Sequence, residues 1–445
     1  MLEKYFHLSA RGTTVRTELL GGTTTFFTLS YIIFVQPTLL SATGMDFGAV
    51  MVATCVASAL ATLIMGLHAN FPIAMAPAMG HNFFFTFTVC GAISAGGMGL
   101  PWQTALGAVC VAGVLFLILS RMGLRTHLLN AVPSSLKHAI AVGIGLLISF
   151  IGFQWAGIVV DRPGILIGLG DLTSPPTLLA LTGLAITSVL LSLGYRSAIL
   201  IGILVTTGLG LPFGLVSYSG IASAPPSLTP SFFQLDFIGL LSQAGLTAIL
   251  IFFFLAVFDT IGTIIGISTQ AGLVKNGHLP DGDKGLTSNA TGITIGAMMG
   301  TSTLTCFVES AAGVASGART GLANLATTGL FFLALFFFPL VQMVSKGYVT
   351  PEGLQLNPVI APTLVIVGSF MLKSIGKISW NDPTEAIPAF LTMFLMPLTV
   401  SIANGITFGI ISYCLLKLAT GRGTEVPWLM YTFGTCILIG YFLMP

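Results

Sequence analysis

The chain has 445 residues, 54% of them apolar and only 7% charged, with 16 Lys+Arg against 14 Asp+Glu. A soluble domain carries roughly 25% charged residues, so a mean hydropathy of +0.97 excludes a water-solvated enzyme and a disordered chain. The balanced charge leaves no basic field for a nucleic acid, and long continuous apolar runs argue against a small barrel of alternating strands.

At roughly 20 apolar residues per span, the runs read as about fourteen membrane elements. Elements 1 and 2 cover 19–41 and 48–67, and element 3, at 72–95, is interrupted by Pro72 and Pro77. Elements 4 to 7 follow at 102–120, 136–156, 177–194 and 197–216. A polar stretch at 217–236, with Pro225, Pro226 and Pro230, divides the chain. Elements 8 and 9 cover 243–270 and 288–300, element 10 is a broken run at 303–317, and element 11 covers 321–344. Elements 12 to 14 lie at 357–372, 384–400 and 402–418, and a last apolar run at 428–444 has no assigned place. Glu3, Lys4, Arg11, Arg16 and Glu18 precede the first apolar run, so no cleavable signal is read. Cys55, Cys90, Cys110, Cys306, Cys414 and Cys436 form no C-x-x-C pair and read as small buried hydrophobes.

With the N-terminus in the cytoplasm and one crossing per element, fourteen Lys and Arg fall on the cytoplasmic side, and only Arg162 and Lys346 fall outside. The fourteen include Arg125, Lys137, Arg196, Lys275, Lys373 and Lys377. The two halves also look related. Each opens on a long helix rich in small residues and carries a short, interrupted third segment, and seven elements per half is odd, so the second half is expected to be inverted. Interrupted segments at matching places mark a transporter's binding site, because the exposed backbone of a broken helix needs protein or a cavity to satisfy it.

Most acids lie in loops or at element ends, but Asp259 and Glu309 sit within elements 8 and 10. A carboxylate at that depth costs about 2.5–3.5 kcal/mol on insertion scales, so each must face a partner, a cavity or a ligand, or take up a proton. The segment Pro77-Ala-Met-Gly-His-Asn-Phe-Phe-Phe suggests a non-helical entry into a half-helix. Within it Asn82 offers donors and acceptors, and a ring from Phe83, Phe84 and Phe85 could stack on a planar ligand. His81 either lines the site or is a hydrogen-bonded core histidine. Thr24 and Thr28, one turn apart on element 1, read as helix packing or as a polar wall, and Thr260 and Thr263 follow Asp259. The run Thr301, Ser302, Thr303 and Thr305 suits a strand crossing a similar strand before Asn82. No Walker loop, H-E-x-x-H or G-x-S-x-G occurs, which argues against an enzyme and against transport driven by hydrolysis. A channel would need a ring of like residues.

The motifs G-G-T-T-T-F-F-T-L-S-Y-I-I-F-V-Q-P, A-P-A-M-G-H-N-F-F-F-T-F-T-V, F-D-T-I-G-T-I-I-G, G-T-S-T-L-T-C-F-V-E-S-A-A-G-V-A-S-G and D-P-T-E-A-I-P-A-F-L-T-M-F resemble the AzgA-like purine permeases. These are a branch of the nucleobase–cation symporter-2 (nucleobase–ascorbate transporter) family. The resemblance spans nearly the whole chain. It implies an all-α, polytopic membrane protein built as a 7+7 inverted repeat, with short antiparallel strands in elements 3 and 10. A core domain would comprise residues 19–122 and 243–345, and a gate domain 134–216 and 357–419. By position, Asp259 matches the acidic ligand of element 8 and Glu309, flanked by Val308 and Ser310, that of element 10. Thr263 falls at a polar position one turn past Asp259, Asn82 to Phe84 match the element 3 wall, and Thr25 matches the polar position of element 1. The chain departs from the usual P-G-M-G-L-N by its Ala78 and His81, and has Ser30 and Gln36 where Ala and Asn are usual.

The resemblance implies proton-coupled import of a purine nucleobase (guanine, hypoxanthine or adenine), with core moving against gate. No cofactor beyond H⁺ is expected, and either Asp259 or Glu309 carries the proton. It also implies homodimers through the gate and residence in the inner membrane of a bacterium. The alternative is a carrier of another planar heterocycle or of an anion on the same architecture. Two carboxylates disfavour the anion.

Overall fold

The computed structural model describes residues 2–122, 133–162, 166–274, 279–350, 353–427, 430–431 and 434–435. The apolar run at 428–444 lies outside the described residues except at 430–431 and 434–435, and so do Arg125, Lys275 and Cys436.

Among the described residues, fourteen elements follow in the order read from the sequence. Eight helical segments are long and apolar enough to cross a membrane. The others are broken, short or, like the helix Gly282–Met299 of element 9, too polar; the helix Pro383–Thr399 of element 13 also holds Pro388 and Pro397. Element 1 comprises helices Val15–Leu29 and Ile32–Ser41. At their junction the turns tighten: Ile33 N–H bonds Ser30 C=O at 3.0 Å and Phe34 N–H bonds Tyr31 C=O at 3.1 Å. Element 8 is one helix, Gln243–Gln270, capped by Ser242, whose hydroxyl accepts from Gly245 N–H at 3.1 Å. Element 9 starts at Gly282, earlier than the apolar pattern, because the polar turn holding Asp283 and Lys284 is already helical. Element 12 starts as a helix only at Ala361.

Strand β1 (Met75–Pro77) lies in element 3. Strands β2 (Val159–Arg162) and β3 (Leu166–Leu169) form an exposed hairpin that the sequence did not announce. Strand β4 (Leu304–Cys306) lies in element 10, and β5 (Tyr348–Val349) pairs with β6 (Gln355–Leu356). β1 and β4 pair antiparallel with Met75 opposite Cys306, Ala76 opposite Thr305 and Pro77 opposite Leu304. The third element of each half therefore meets its counterpart head to tail, the arrangement an inverted repeat requires.

Elements 1, 2, 4, 8, 9 and 11 pack on one another, and elements 5, 6, 7, 12, 13 and 14 pack on one another. Close approach within the first set depends on glycine. A Cβ at Gly66 would stand 2.7 Å from Gly321 C=O, and one at Gly22 would run into Ala323 C=O. Small residues at such crossings allow the dispersion contact that holds helices together in lipid. The far end of this set is tied by Glu18, which is fully buried and accepts Arg319 N–H at 2.7 Å and Thr320 N–H at 3.2 Å. Arg11 donates to Asn70 C=O at 2.7 Å and Arg319 C=O at 3.0 Å.

Candidate functional site

The two strands cross where both helices are interrupted. Asn70 (φ 53°) and Gly300 (φ 91°) adopt the left-handed conformation that ends a helix and redirects the chain toward β1 and β4 respectively. Backbone freed by the breaks is satisfied by neighbours. Asn324 donates to Thr62, Phe71 and Ile73 carbonyls at 3.0–3.1 Å. Thr62 accepts Met75 N–H at 2.9 Å. Pro77 has no N–H, and Ala78 N–H continues the ladder to Thr303 C=O at 3.0 Å. With these groups satisfied, non-helical backbone is tolerated at membrane depth.

Beside the crossing lies a cavity of about 1340 Å³. Its walls come from elements 1, 3, 8 and 10 on one side and from elements 5, 6, 7, 12 and 14 on the other. Asp259 opens into it from element 8, facing Thr305 of β4, and Thr263 lines it one turn further on. Glu309 lines it from the first position before the short helix Ser310–Ala315. Its Oε1 accepts the Tyr31 hydroxyl at 2.7 Å, a charge-assisted bond that fixes the carboxylate's direction. Val308, beside it, is 63% exposed and also lines the cavity. His81 lines the opposite approach and is only 4% exposed.

Five residues expected at the site do not line the cavity. Asn82 is fully buried; Ser302 donates its hydroxyl to the Asn82 Oδ1, so the side chain ties element 3 to the run before β4. Gln36 reinforces the same tie by donating to Thr301 Oγ1 and Ser302 Oγ, each at 3.1 Å. Phe83 and Phe84 are fully buried too. Phe83 stacks on Phe87 at 5.6 Å and Phe84 meets Phe252 edge-on at 4.9 Å, so both rings pack inside the protein. Thr25 is buried where element 1 passes Gly313, whose missing Cβ leaves room for the Thr25 hydroxyl. Ser310 accepts Ala74 N–H at 3.0 Å, filling a gap in the backbone before β1.

Three cavity groups were not read as site residues from the sequence. Tyr31 was legible in principle, since a tyrosine at an element's centre needs a partner for its hydroxyl. Phe307 lies next to the Glu309 turn and 6.4 Å from the Tyr31 ring, offering an aromatic wall that the 83–85 run does not. Arg196, between elements 6 and 7, donates to Ser316 Oγ and to Ala312 C=O, where the helix after Glu309 ends. A cation there complements the helix's exposed carbonyls. The site as built presents two carboxyl groups, hydroxyls, an imidazole and aromatic walls. That set suits a flat ligand rich in N–H groups.

Residues 16–408 match the profile of the Xan_ur_permease family, described as a permease family. A permease-named protein of Methanocaldococcus jannaschii is 48% identical over 432 residues, covering 97% of this chain and 95% of that protein. The guanine/hypoxanthine permease PbuO of Bacillus subtilis is 42% identical, covering 99% of this chain and all (100%) of that protein. The adenine permease AdeP of Escherichia coli is 41% identical, covering 95% and 92%. Among solved structures, the transmembrane domain of the cyanobacterial bicarbonate transporter BicA superposes with a TM-score of 0.59 at 14% identity, over 89% of this chain and 97% of that one. SLC26A9 superposes with a TM-score of 0.60 at 10% identity, over 94% and 66%. At these identities the structures show a shared fold.

Proposed function

Because the chain belongs to the Xan_ur_permease family, the nucleobase–cation symporter-2 permeases, we propose that it imports a purine nucleobase together with a proton. The observation that carries this reading is the meeting of Asp259 and Glu309 in one cavity beside the strand crossing, with Glu309 held by Tyr31. The ionised Glu309 accepts the imidazole-ring N–H of the base (N9–H, or N7–H in the other tautomer), a charge-assisted contact that fixes the base's orientation, and Phe307 flanks the ring. Guanine, hypoxanthine and adenine all carry such an N–H. Relatives named for guanine/hypoxanthine and for adenine stand at nearly equal identity to this chain.

Asp259 takes the coupling proton. Protonation and substrate binding strengthen each other reciprocally, so the site loads both or neither. Residues 19–122 and 243–345 form a core and residues 134–216 and 357–419 a gate, a division supported by the packing of elements 1, 2, 4, 8, 9 and 11 apart from elements 5, 6, 7 and 12–14. The cavity lies between the two sets, so movement of the core against the gate carries the site across the membrane. The protein works in the cytoplasmic membrane with its N-terminus inside, as the bias of Lys and Arg supports, and pairs with a second copy through the gate.

Uptake of labelled hypoxanthine, guanine and adenine into vesicles at two external pH values tests the reading. Acidification outside is expected to drive accumulation. Asp259→Asn is expected to keep binding and lose the acid-driven component, and Glu309→Ala to lose binding. Undiminished binding of every nucleobase by Glu309→Ala overturns the ligand role, and pH-independent accumulation overturns the coupling.

A further inference from the structure

Each crossing strand is followed by a polar side chain that lines the cavity. Glu309 comes three residues past Cys306, the end of β4, and His81 comes four residues past Pro77, the end of β1. Since the strands run antiparallel, the two side chains leave the crossing toward opposite ends of the ladder. His81 is thus the first half's counterpart of the Glu309 turn.

The adjacent Asn82 side chain is committed, since it accepts from Ser302. The His81 ring is 4% exposed, makes no hydrogen bond to a described residue, and its Nε2 is buried without a partner. A buried polar atom left unpaired costs about 1–3 kcal/mol, and native proteins rarely retain one without a use. The backbone beside His81 is held close to the opposite wall: a Cβ on the adjacent Gly80 would stand 2.8 Å from Ile144 Cγ2 of element 5.

Building on the nucleobase reading above, we propose that His81 reads the edge of the purine remote from Glu309, pairing with the exocyclic group at ring position 6. The uncharged imidazole has one N–H donor and one bare nitrogen acceptor, and proton exchange between them swaps the two roles. One tautomer donates to a 6-oxo group, as in hypoxanthine; the other accepts from a 6-amino group, as in adenine. The site therefore admits both classes, where a fixed donor or a fixed acceptor would reject one of them.

Equilibrium binding to the purified full-length protein in detergent, with hypoxanthine, adenine and unsubstituted purine, tests this. Wild type is expected to bind hypoxanthine and adenine within about tenfold of each other. His81→Leu is expected to weaken both by about tenfold, the loss of one hydrogen bond, and to leave unsubstituted purine unchanged. His81→Gln, whose amide offers both a donor and an acceptor, is expected to keep both within about threefold. An equal loss for all three ligands makes His81 a structural residue and overturns the proposal. So does no loss for any ligand, or a wild-type preference above about a hundredfold. Where His81→Leu does not fold, the imidazole ¹⁵N signals of wild type decide: hypoxanthine and adenine must fix opposite tautomers, and a common tautomer overturns the proposal. If no nucleobase binds wild type at all, the nucleobase reading itself fails and this proposal falls with it.

Discussion

Tyr31→Phe removes one oxygen and leaves the rest of the site in place. The ring is 1% exposed and sits against Phe307, so its packing survives the change. What is lost is the 2.7 Å bond to Glu309 Oε1. Hydrogen bonds to charged groups contribute about 1.5–3 kcal/mol net, which as affinity is about 10- to 150-fold. Glu309 is half-buried and opens to the cavity, so water there replaces part of the lost donor, and the lower end applies. The expected result is an affinity for hypoxanthine about tenfold weaker, with a melting temperature close to wild type. Scintillation-proximity binding on purified protein measures the first and differential scanning fluorimetry the second. Unchanged affinity in Tyr31→Phe would mean that the carboxylate needs no fixed direction, and the orienting contact assigned to Glu309 would be wrong. A large drop in melting temperature with unchanged affinity would assign the bond to folding alone.

Acid should weaken the far end of elements 13 and 14. Asp382 accepts from Thr384 Oγ1 at 2.7 Å and from Arg422 at 2.7 Å, which hold its carboxyl well below the usual range. Arg422 and Lys417 hold Glu425 down to about 2. Both folded values lie below the unfolded ones, so this stabilisation is complete above about pH 4.3 and is lost as pH falls toward the folded values. The melting temperature is expected to fall from about pH 5 to pH 3, and to fall less steeply in Arg422→Gln, which also starts lower; parallel curves would refute the assignment. Asn82→Ala is expected to lower the melting temperature, since Ser302 then keeps only its Gln36 partner, while nucleobase affinity stays within about threefold. Loss of binding in folded Asn82→Ala protein would return that side chain to the cavity.

The order and limits of the elements were legible because hydropathy and proline report depth in the membrane directly. Element 8, read at 243–270, is the helix Gln243–Gln270, and the interruptions at elements 3 and 10 are where β1 and β4 pair. Depth, however, does not give direction around an element's axis. Within a regular helix the phase carries from residue to residue, so Thr263, one turn past Asp259, shares its face, and both line the cavity. At a break the phase is lost. His81 and Asn82 are adjacent, at the same depth and of similar polarity, yet one lines the cavity and the other ties two strands together. What separates them is tertiary: Ile144 against Gly80 on one side, Ser302 and Gln36 on the other. The phenylalanine run shows the same limit. Three consecutive rings read as a stacking wall for a planar ligand, but Phe83, Phe84 and Phe85 are all fully buried. The aromatic neighbour of Glu309 is instead Phe307, two residues before it in the chain and across from Tyr31. In a chain of this architecture, side chains on continuous helices can be assigned from sequence by phase. Those beside a break need the partner strand and the opposing wall before they can be assigned.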